Sequence, residues 1–327
     1  MNDEVKAVLR EILLERYGLD ISKARCFFST QNHAFIFVGE PYMIRVSTSP
    51  KKTRSELLSE LMWLDDLKQF KQTVCEPNVS LRGNLLEEFE IDGKYYRASM
   101  FRTARGVNRE IADFTPMFFI CCGDLLGAIH HVSTDEREKG FQFKRGSKYE
   151  DFAVLKERVQ HKVPPQILER INRVQAQVEA IPQDLGRYGL CHGDFHVRNF
   201  FVEENNIWLF DFDGCGYAHY MYDIASLVQS CFVWGYGAGQ DLRELVDNVI
   251  LKYFKIGYNL NHPCEEDFWD TFELFLQYRT AFTYLALCEI DTIGIADDTM
   301  RIKRFFEYLV SQDDIVGAMT TAMRNMG

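Results

Sequence analysis

His192-Gly193-Asp194-Phe195-His196-Val197-Arg198-Asn199, followed after a short apolar stretch by Leu209-Phe210-Asp211-Phe212-Asp213, is the part of this sequence that decides its reading. The first run has the spacing H-x-D-x-x-x-x-N, and the second places an aspartate 17 residues after Asp194. Around them, Val202 and Ile207–Phe210 flank the turn Glu203–Asn206, so the whole stretch Leu190–Phe212 is an island of short strands. Aspartates and an asparagine at strand ends are oxygen donors of the kind a hard divalent cation prefers. A further carboxylate beside them can act as a proton acceptor.

Working outward, the sequence on either side is of two kinds. Residues 3–17 have apolar residues at helical spacing, including Val5, Val8, Leu9, Ile12 and Leu13. Between Ala24 and Val46 the short runs FF, FIFV and YMIRV are punctuated by Gly39-Glu40-Pro41, which predicts antiparallel strands. Helical spacing returns over Ser55–Phe70, then two strand-like runs, Leu85–Ile91 and Tyr95–Phe101, hinge at Asp92-Gly93. Beyond Gly106 the pattern is mainly helical: Phe114–His131, Pro165–Ala180, Tyr220–Trp234, Leu242–Tyr258, Asp267–Ile290 and Met300–Met323. The expected architecture is therefore α+β, with a small sheet-containing part over residues 1–103 and a larger helical part over 104–327.

Composition narrows the function classes. Of 327 residues 46% are hydrophobic and 26% charged, ordinary values for a folded globular chain. No run approaches the roughly 18 consecutive apolar residues of a membrane span, and no secretory signal pattern begins the chain. Nine scattered cysteines lack a repeated C-x-x-C spacing and read as reduced thiols, so a cytoplasmic location is expected. There are 37 basic and 48 acidic residues; residues 1–105 hold 16 and 15 of them, leaving 21 basic against 33 acidic in the remainder. With no basic stripe, a nucleic-acid partner is not expected.

Phosphoryl transfer is the chemistry that needs such a set of oxygens, because its loose transition state demands positioning and charge neutralisation rather than covalent catalysis. The HGDFHVRN run resembles the H-G-D-x-x-x-x-N catalytic loop of the aminoglycoside phosphotransferase and choline kinase-like family of small-molecule kinases. LFDFD resembles that family's I-D-[FW]-[DE] segment, which stands where protein kinases carry D-F-G. The likeness extends over nearly the whole chain, since the order of elements also matches. It implies a bilobal protein-kinase-like fold, ATP and Mg2+ as cofactors, Asp194 as catalytic base, and Asn199 and Asp211 as metal ligands. His192 would brace the loop, and Asp213 would stand near the second metal or in its outer shell.

Further likenesses are residue by residue. Tyr42-Met43-Ile44-Arg45-Val46 resembles the third strand, with Arg45 at the basic position that meets the nucleotide phosphates. Ser59-Glu60-Leu61-Met62-Trp63-Leu64 resembles the S-E-x-x-W-L helix, making Glu60 the partner of Arg45 and Glu56 its competitor. The adenine would lie against the backbone of a connector at Met100, Phe101, Arg102 and Thr103. Phe28–Phe35 lies where a glycine-rich phosphate turn would be, yet it has no glycine, which leaves ATP against GTP open. Arg198 replaces a usually small residue and is expected to point outward. His196 is expected to be structural, and Asp223, in Tyr222-Asp223-Ile224-Ala225, is expected to cap its helix or brace the loop.

The expected partner is a small hydroxyl-bearing molecule. Acidic residues Glu265, Glu266, Asp267, Asp270, Glu289 and Asp291 lie in or beside an aromatic-rich helix and could greet an ammonium group, or be a solvated face. Two rival readings share the motifs. One is a bacterial stress-response-type protein kinase, disfavoured by the short gap Gly214–His219. The other is a catalytically silent nucleotide-binding protein.

Overall fold

Alternation of apolar and polar residues in the first hundred positions produces the expected antiparallel sheet. The computed structural model describes residues 3–28, 32–47, 52–71, 73–108, 114–140, 142–290 and 297–326. Two units are distinguished, Met1–Gly106 with Trp208–Phe210, and Val107–Ile207 with Asp211–Gly327.

The first unit runs α1 (Asp3–Tyr17), β1 (Ala24–Phe28), β2 (Asn32–Phe37), β3 (Tyr42–Ser47), α2 (Arg54–Phe70), β4 (Pro77–Asn78), β5 (Glu87–Ile91) and β6 (Lys94–Arg102). The sheet order is β1-β2-β3-β6-β4, with β5 paired to β6. Strand register sets which side chains share a face, because successive residues alternate. Ile44 lies opposite Phe35 and Met100. Together with Val46, Phe37 and Ala98 these close a core under Leu9 and Leu13 of α1. Arg45, one residue away, therefore emerges on the opposite face.

In α2, Thr53 and Glu56 form a reciprocal capping box that fixes the helix start. Leu57, Leu61, Leu64 and Leu67 bury the stripe that the sequence predicts, together with Trp63 and Glu60.

The second unit runs α3 (Pro116–Glu138), α4 (Lys148–Val159), α5 (Pro165–Glu179), β7 (Tyr188–Cys191), β8 (Phe200–Glu203), β9 (Asn206–Leu209), β10 (Gly216–His219), α6 (Met221–Val233), α7 (Leu242–Leu245), α8 (Leu251–Tyr258), α9 (Glu266–Trp269), α10 (Phe272–Glu289), α11 (Asp297–Val310) and α12 (Ile315–Met326). The last residues of β9, from Trp208, group with the first unit.

Several elements differ from expectation. Helix α4 has its own capping box, Ser147 with Glu150, a signal the periodicity reading passed over. The helix expected over 267–290 is broken at Asp270-Thr271, and that over 300–323 at 311–314, where Ser311-Gln312-Asp313-Asp314 supplies polar side chains. The segment between α7 and α8 is one turn of π-helix, Val246–Ile250. Helices α3 and α8 meet backbone to backbone: a Cβ on Gly257 would lie 1.9 Å from the carbonyl oxygen of Ile120. Among the described residues α3 is the one helix long and apolar enough to cross a membrane, yet 67% of its apolar window is buried within the protein.

Candidate active site

Residues Tyr188–Cys191 of β7 pair antiparallel with Gly216–His219 of β10, Cys191 standing opposite Gly216. That pairing delivers two segments side by side: the loop His192–Asn199 leaving β7, and the turn Asp211–Cys215 entering β10. Their contact is tight. Gly193 has φ +80°, and a Cβ there would lie 2.2 Å from the carbonyl oxygen of Gly214, so only glycine fits. The buried His192 ring meets the edge of Phe212 at 4.5 Å between centroids. Asp211 itself is left-handed at φ 65°, ψ 59°. This conformation is sparsely populated for residues with side chains, though aspartate tolerates it better than most.

Asp194 is held by its neighbours. The Asn199 side-chain amide donates both to the Asp194 carbonyl at 3.0 Å and to its carboxylate at 3.2 Å. His196 Nε2 lies 3.2 Å from the same carboxylate oxygen, and Arg279 Nη2 lies 3.8 Å from the other. Burial pushes the Asp194 carboxyl up, but the His196 hydrogen bond and the charges of His196, Arg279 and His192 outweigh it. The group sits well below the usual carboxylate range and is ionised at neutral pH.

The loop is braced from beneath. Asp223, fully buried, accepts from the backbone N–H of His192 at 2.7 Å and of Gly193 at 2.9 Å. This makes it a brace rather than a cap, since Tyr220 occupies the cap position of α6. His130 stands 3.5 Å from Asp223, stacks on Tyr220 and bonds Tyr258 Oη at 2.7 Å through Nδ1. Burial pushes the His130 imidazole below its ordinary value, against the pull of Asp223. Cys191 completes a buried His130–Cys191–Asp223 cluster, but its thiol reaches the Ala218 and His219 carbonyls. With every member engaged by protein groups, the cluster serves as scaffold.

The turn Asp211–Cys215 is gripped from outside. Arg145 donates from Nε to the Cys215 carbonyl at 2.9 Å and from Nη2 to that of Asp213 at 2.6 Å. Lys148 Nζ reaches the Gly214 carbonyl at 3.2 Å. The Asp211 carboxylate and Asn199 Oδ1 are oxygens of the kind a hard cation prefers, and the Asn199 amide nitrogen is turned toward Asp194. By donor type these two side chains suit a magnesium-class ion.

In the first unit, Arg45 Nη1 donates to Glu60 Oε1 at 2.7 Å, with side-chain exposures of 10% and 1%. Glu56 is spent on its capping box, which settles the competition in favour of Glu60. The Arg45 guanidinium also lies over the Phe101 ring at 5.1 Å. Met100, one residue earlier, belongs to the core on the opposite face. The Thr103 N–H donates to the Pro41 carbonyl at 3.0 Å. Of the expected phosphate turn, Ser29, Thr30 and Gln31 lie outside the described residues.

Two contributors were missed by sequence reasoning. His196, expected to be structural only, touches Asp194. Arg279 is buried among aromatics, over Tyr222 at 4.7 Å and Phe282 at 5.5 Å, and donates to Tyr222 Oη at 2.6 Å. A lone cation inside the aromatic stripe of α10 was the signal available for it. Arg198 points outward as expected, stacked 4.7 Å over Trp234. The acidic residues near α10 face solvent: Asp267 pairs with Arg187, Glu266 with Lys255 and Glu289 with Arg158. Asp291 lies outside the described residues.

Residues 20–250 match the phosphotransferase enzyme family (APH). This chain belongs to that family, and it is an ATP-dependent phosphotransferase with a small-molecule hydroxyl as acceptor. It is 21% identical over 311 residues to the amicoumacin kinase of Bacillus subtilis (strain 168), an alignment covering 92% of each chain. Among solved structures it is similar to amicoumacin kinase hAmiN, determined with AMP-PNP, Ca2+ and Ami: TM-score 0.84, 22% identity, 97% of each chain covered. A microcompartment-associated aminopropanol kinase aligns at TM-score 0.65 and 15% identity, over 98% of this chain and 97% of that one.

Proposed function

We propose that this protein moves the γ-phosphoryl group of ATP, with Mg2+, to a hydroxyl of a small acceptor, using Asp194 as the base. The observation that carries this reading is the ionised Asp194, hydrogen-bonded to Asn199 on a loop packed directly against the turn that follows Asp211. Asn199 Oδ1 and the Asp211 carboxylate would hold the metal ion, which when bound would supply neutralisation of charge on the phosphate oxygens.

Asp194 orients the acceptor hydroxyl and takes its proton as the phosphoryl group is transferred. Asn199 and His196 fix the carboxylate in one orientation, which is the positioning this chemistry depends on. Arg45 binds nucleotide phosphate through its guanidinium, and Glu60 holds that side chain in place. The backbone at Met100, Phe101 and Thr103 meets the adenine. A cytoplasmic location suits a nucleotide-dependent enzyme, and no disulfide links any of the nine cysteines.

Amicoumacin is the first acceptor to test, since the relative aligned over 92% of the chain bears that name. The outward-facing acids near α10 do not supply an ammonium subsite, so amino alcohols, sugars and aminoglycosides enter the panel on equal terms. ADP release is measured over this panel, with labelled ATP followed in parallel. Label is expected in low-molecular-weight material and to vanish in Asp194→Asn. Full transfer by Asp194→Ala would refute the assigned base, and label in protein would favour the protein-kinase alternative.

A further inference from the structure

The first unit contains a cavity of about 270 Å³ whose wall is built for an anion. Lys68 near the end of α2, Glu76 before β4, Arg102 at the end of β6, Thr103 and Arg105 beyond it, and Trp208 line it. Three cations face a single carboxylate. Glu76 pairs with Lys68 Nζ and lies 4.0 Å from an Arg102 guanidinium nitrogen. Arg105 has no carboxylate partner among the described residues; its guanidinium lies 5.3 Å over the Trp208 ring.

A second observation points the same way. The Trp208 indole Nε1 is buried and makes no hydrogen bond. A buried N–H without an acceptor is rare in folded proteins and calls for a partner. Indole nitrogen only donates, and guanidinium and ammonium groups only donate, so the missing partner must be an acceptor. The excess of two positive charges, which Glu76 leaves uncompensated, sets its charge. The volume, just below that of drug-sized pockets, sets its size.

We propose that this cavity binds a small dianion, a phosphate monoester or a dicarboxylate, through Trp208 Nε1, Arg105 and Arg102. The guanidiniums supply paired donors suited to a planar carboxylate or a phosphate face. Arg105 already rests on the indole, so the cation and the N–H donor come from one stacked unit. Thr103, which lines the cavity, is also a residue assigned to the adenine, so occupancy here and nucleotide binding are to be separated by experiment. The site does not depend on the phosphoryl-transfer reading, because its test uses neither acceptor nor turnover.

Calorimetric titration at constant ionic strength, with inorganic phosphate in one arm and malonate in the other, tests the site and distinguishes the two sources of oxyanion. Saturable one-to-one binding of at least one of them is expected. Arg105→Gln should weaken it at least tenfold. Trp208→Phe keeps the ring beneath Arg105 and removes only the N–H; it should weaken binding severalfold. Arg198→Gln, at the unrelated stack on Trp234, should leave the affinity unchanged. Saturating AMP-PNP should change it less than twofold. Non-saturable binding, affinity indifferent to Arg105→Gln and Trp208→Phe, or direct competition by AMP-PNP would each overturn the proposal.

Discussion

Asp223 offers the sharpest perturbation, because a single buried carboxylate fixes the peptide on which Asp194 hangs. Its two oxygens separately accept the N–H groups of His192 and Gly193 at 2.7 and 2.9 Å. Hydrogen bonds to a charged group contribute about 1.5–3 kcal/mol each, and a buried donor left unmade costs a further 1–3 kcal/mol. In Asp223→Asn one oxygen remains and an amide nitrogen must face the second N–H. One charged bond is lost and one donor is stranded, so a loss of about 2.5–6 kcal/mol is expected. If Asp223 acted only through the dipole of α6, removing its charge would cost about 0.3–1 kcal/mol. Urea denaturation followed by tryptophan fluorescence separates the two magnitudes. Turnover should also fall about 100-fold, since small displacements of a catalytic group are costly, while affinity for AMP-PNP should hold within a few-fold. An unchanged urea midpoint together with an unchanged kcat in Asp223→Asn would refute the reasoning. Asp223→Ala, which removes both acceptors and strands both donors, should cost more than Asp223→Asn and is the less informative variant.

Gly193→Ala should remove at least 99% of turnover, because its Cβ would lie 2.2 Å from the Gly214 carbonyl oxygen; a crystal structure should show the loop displaced. Arg198→Ala should leave kcat within about twofold and cost about 0.5–1 kcal/mol in urea, as fits an exposed cation–π contact. His262 supplies a pH test. Burial pushes its imidazole from 6.5 down to about 4, against the hydrogen bond to the Gly186 carbonyl and with the charges of His130 and His131. Because the folded value lies below the unfolded one, stability is complete above about pH 6.5 and falls as pH drops toward 4, by about 3 kcal/mol from this group. Denaturation midpoints for His262→Gln should show a pH slope in that window lower by about one proton; an unchanged slope refutes the assignment.

The candidate site loop was legible in the sequence because H-x-D-x-x-x-x-N and the Asp211 segment stand at a spacing that a short β-hairpin can bring together, and the structure does pack the two segments side by side. Strand alternation around Ile44 likewise exposed Arg45, and the Thr53–Glu56 capping box frees Glu60 to meet it. Helical periodicity was less reliable at ends and breaks. Apolar spacing continues across Asp270-Thr271 and 311–314, so two pairs of helices read as single ones.

What the sequence determined by itself, then, is local chemistry and the order of elements: both follow from side-chain type and from periods of two and 3.6 residues. Only the tertiary structure decided which distant groups surround Asp194 and brace its loop. Arg279 from α10 approaches Asp194, Asp223 from α6 accepts the loop's N–H groups, and His130 from α3 stands against Asp223, all through packing between helices far apart in the chain. The β7–β10 pairing that sets His192 against Phe212 rests on two four-residue strands too short to announce themselves. Long-range register of this kind is fixed by burial and steric fit, as at Gly193 and Gly214, which no linear spacing encodes.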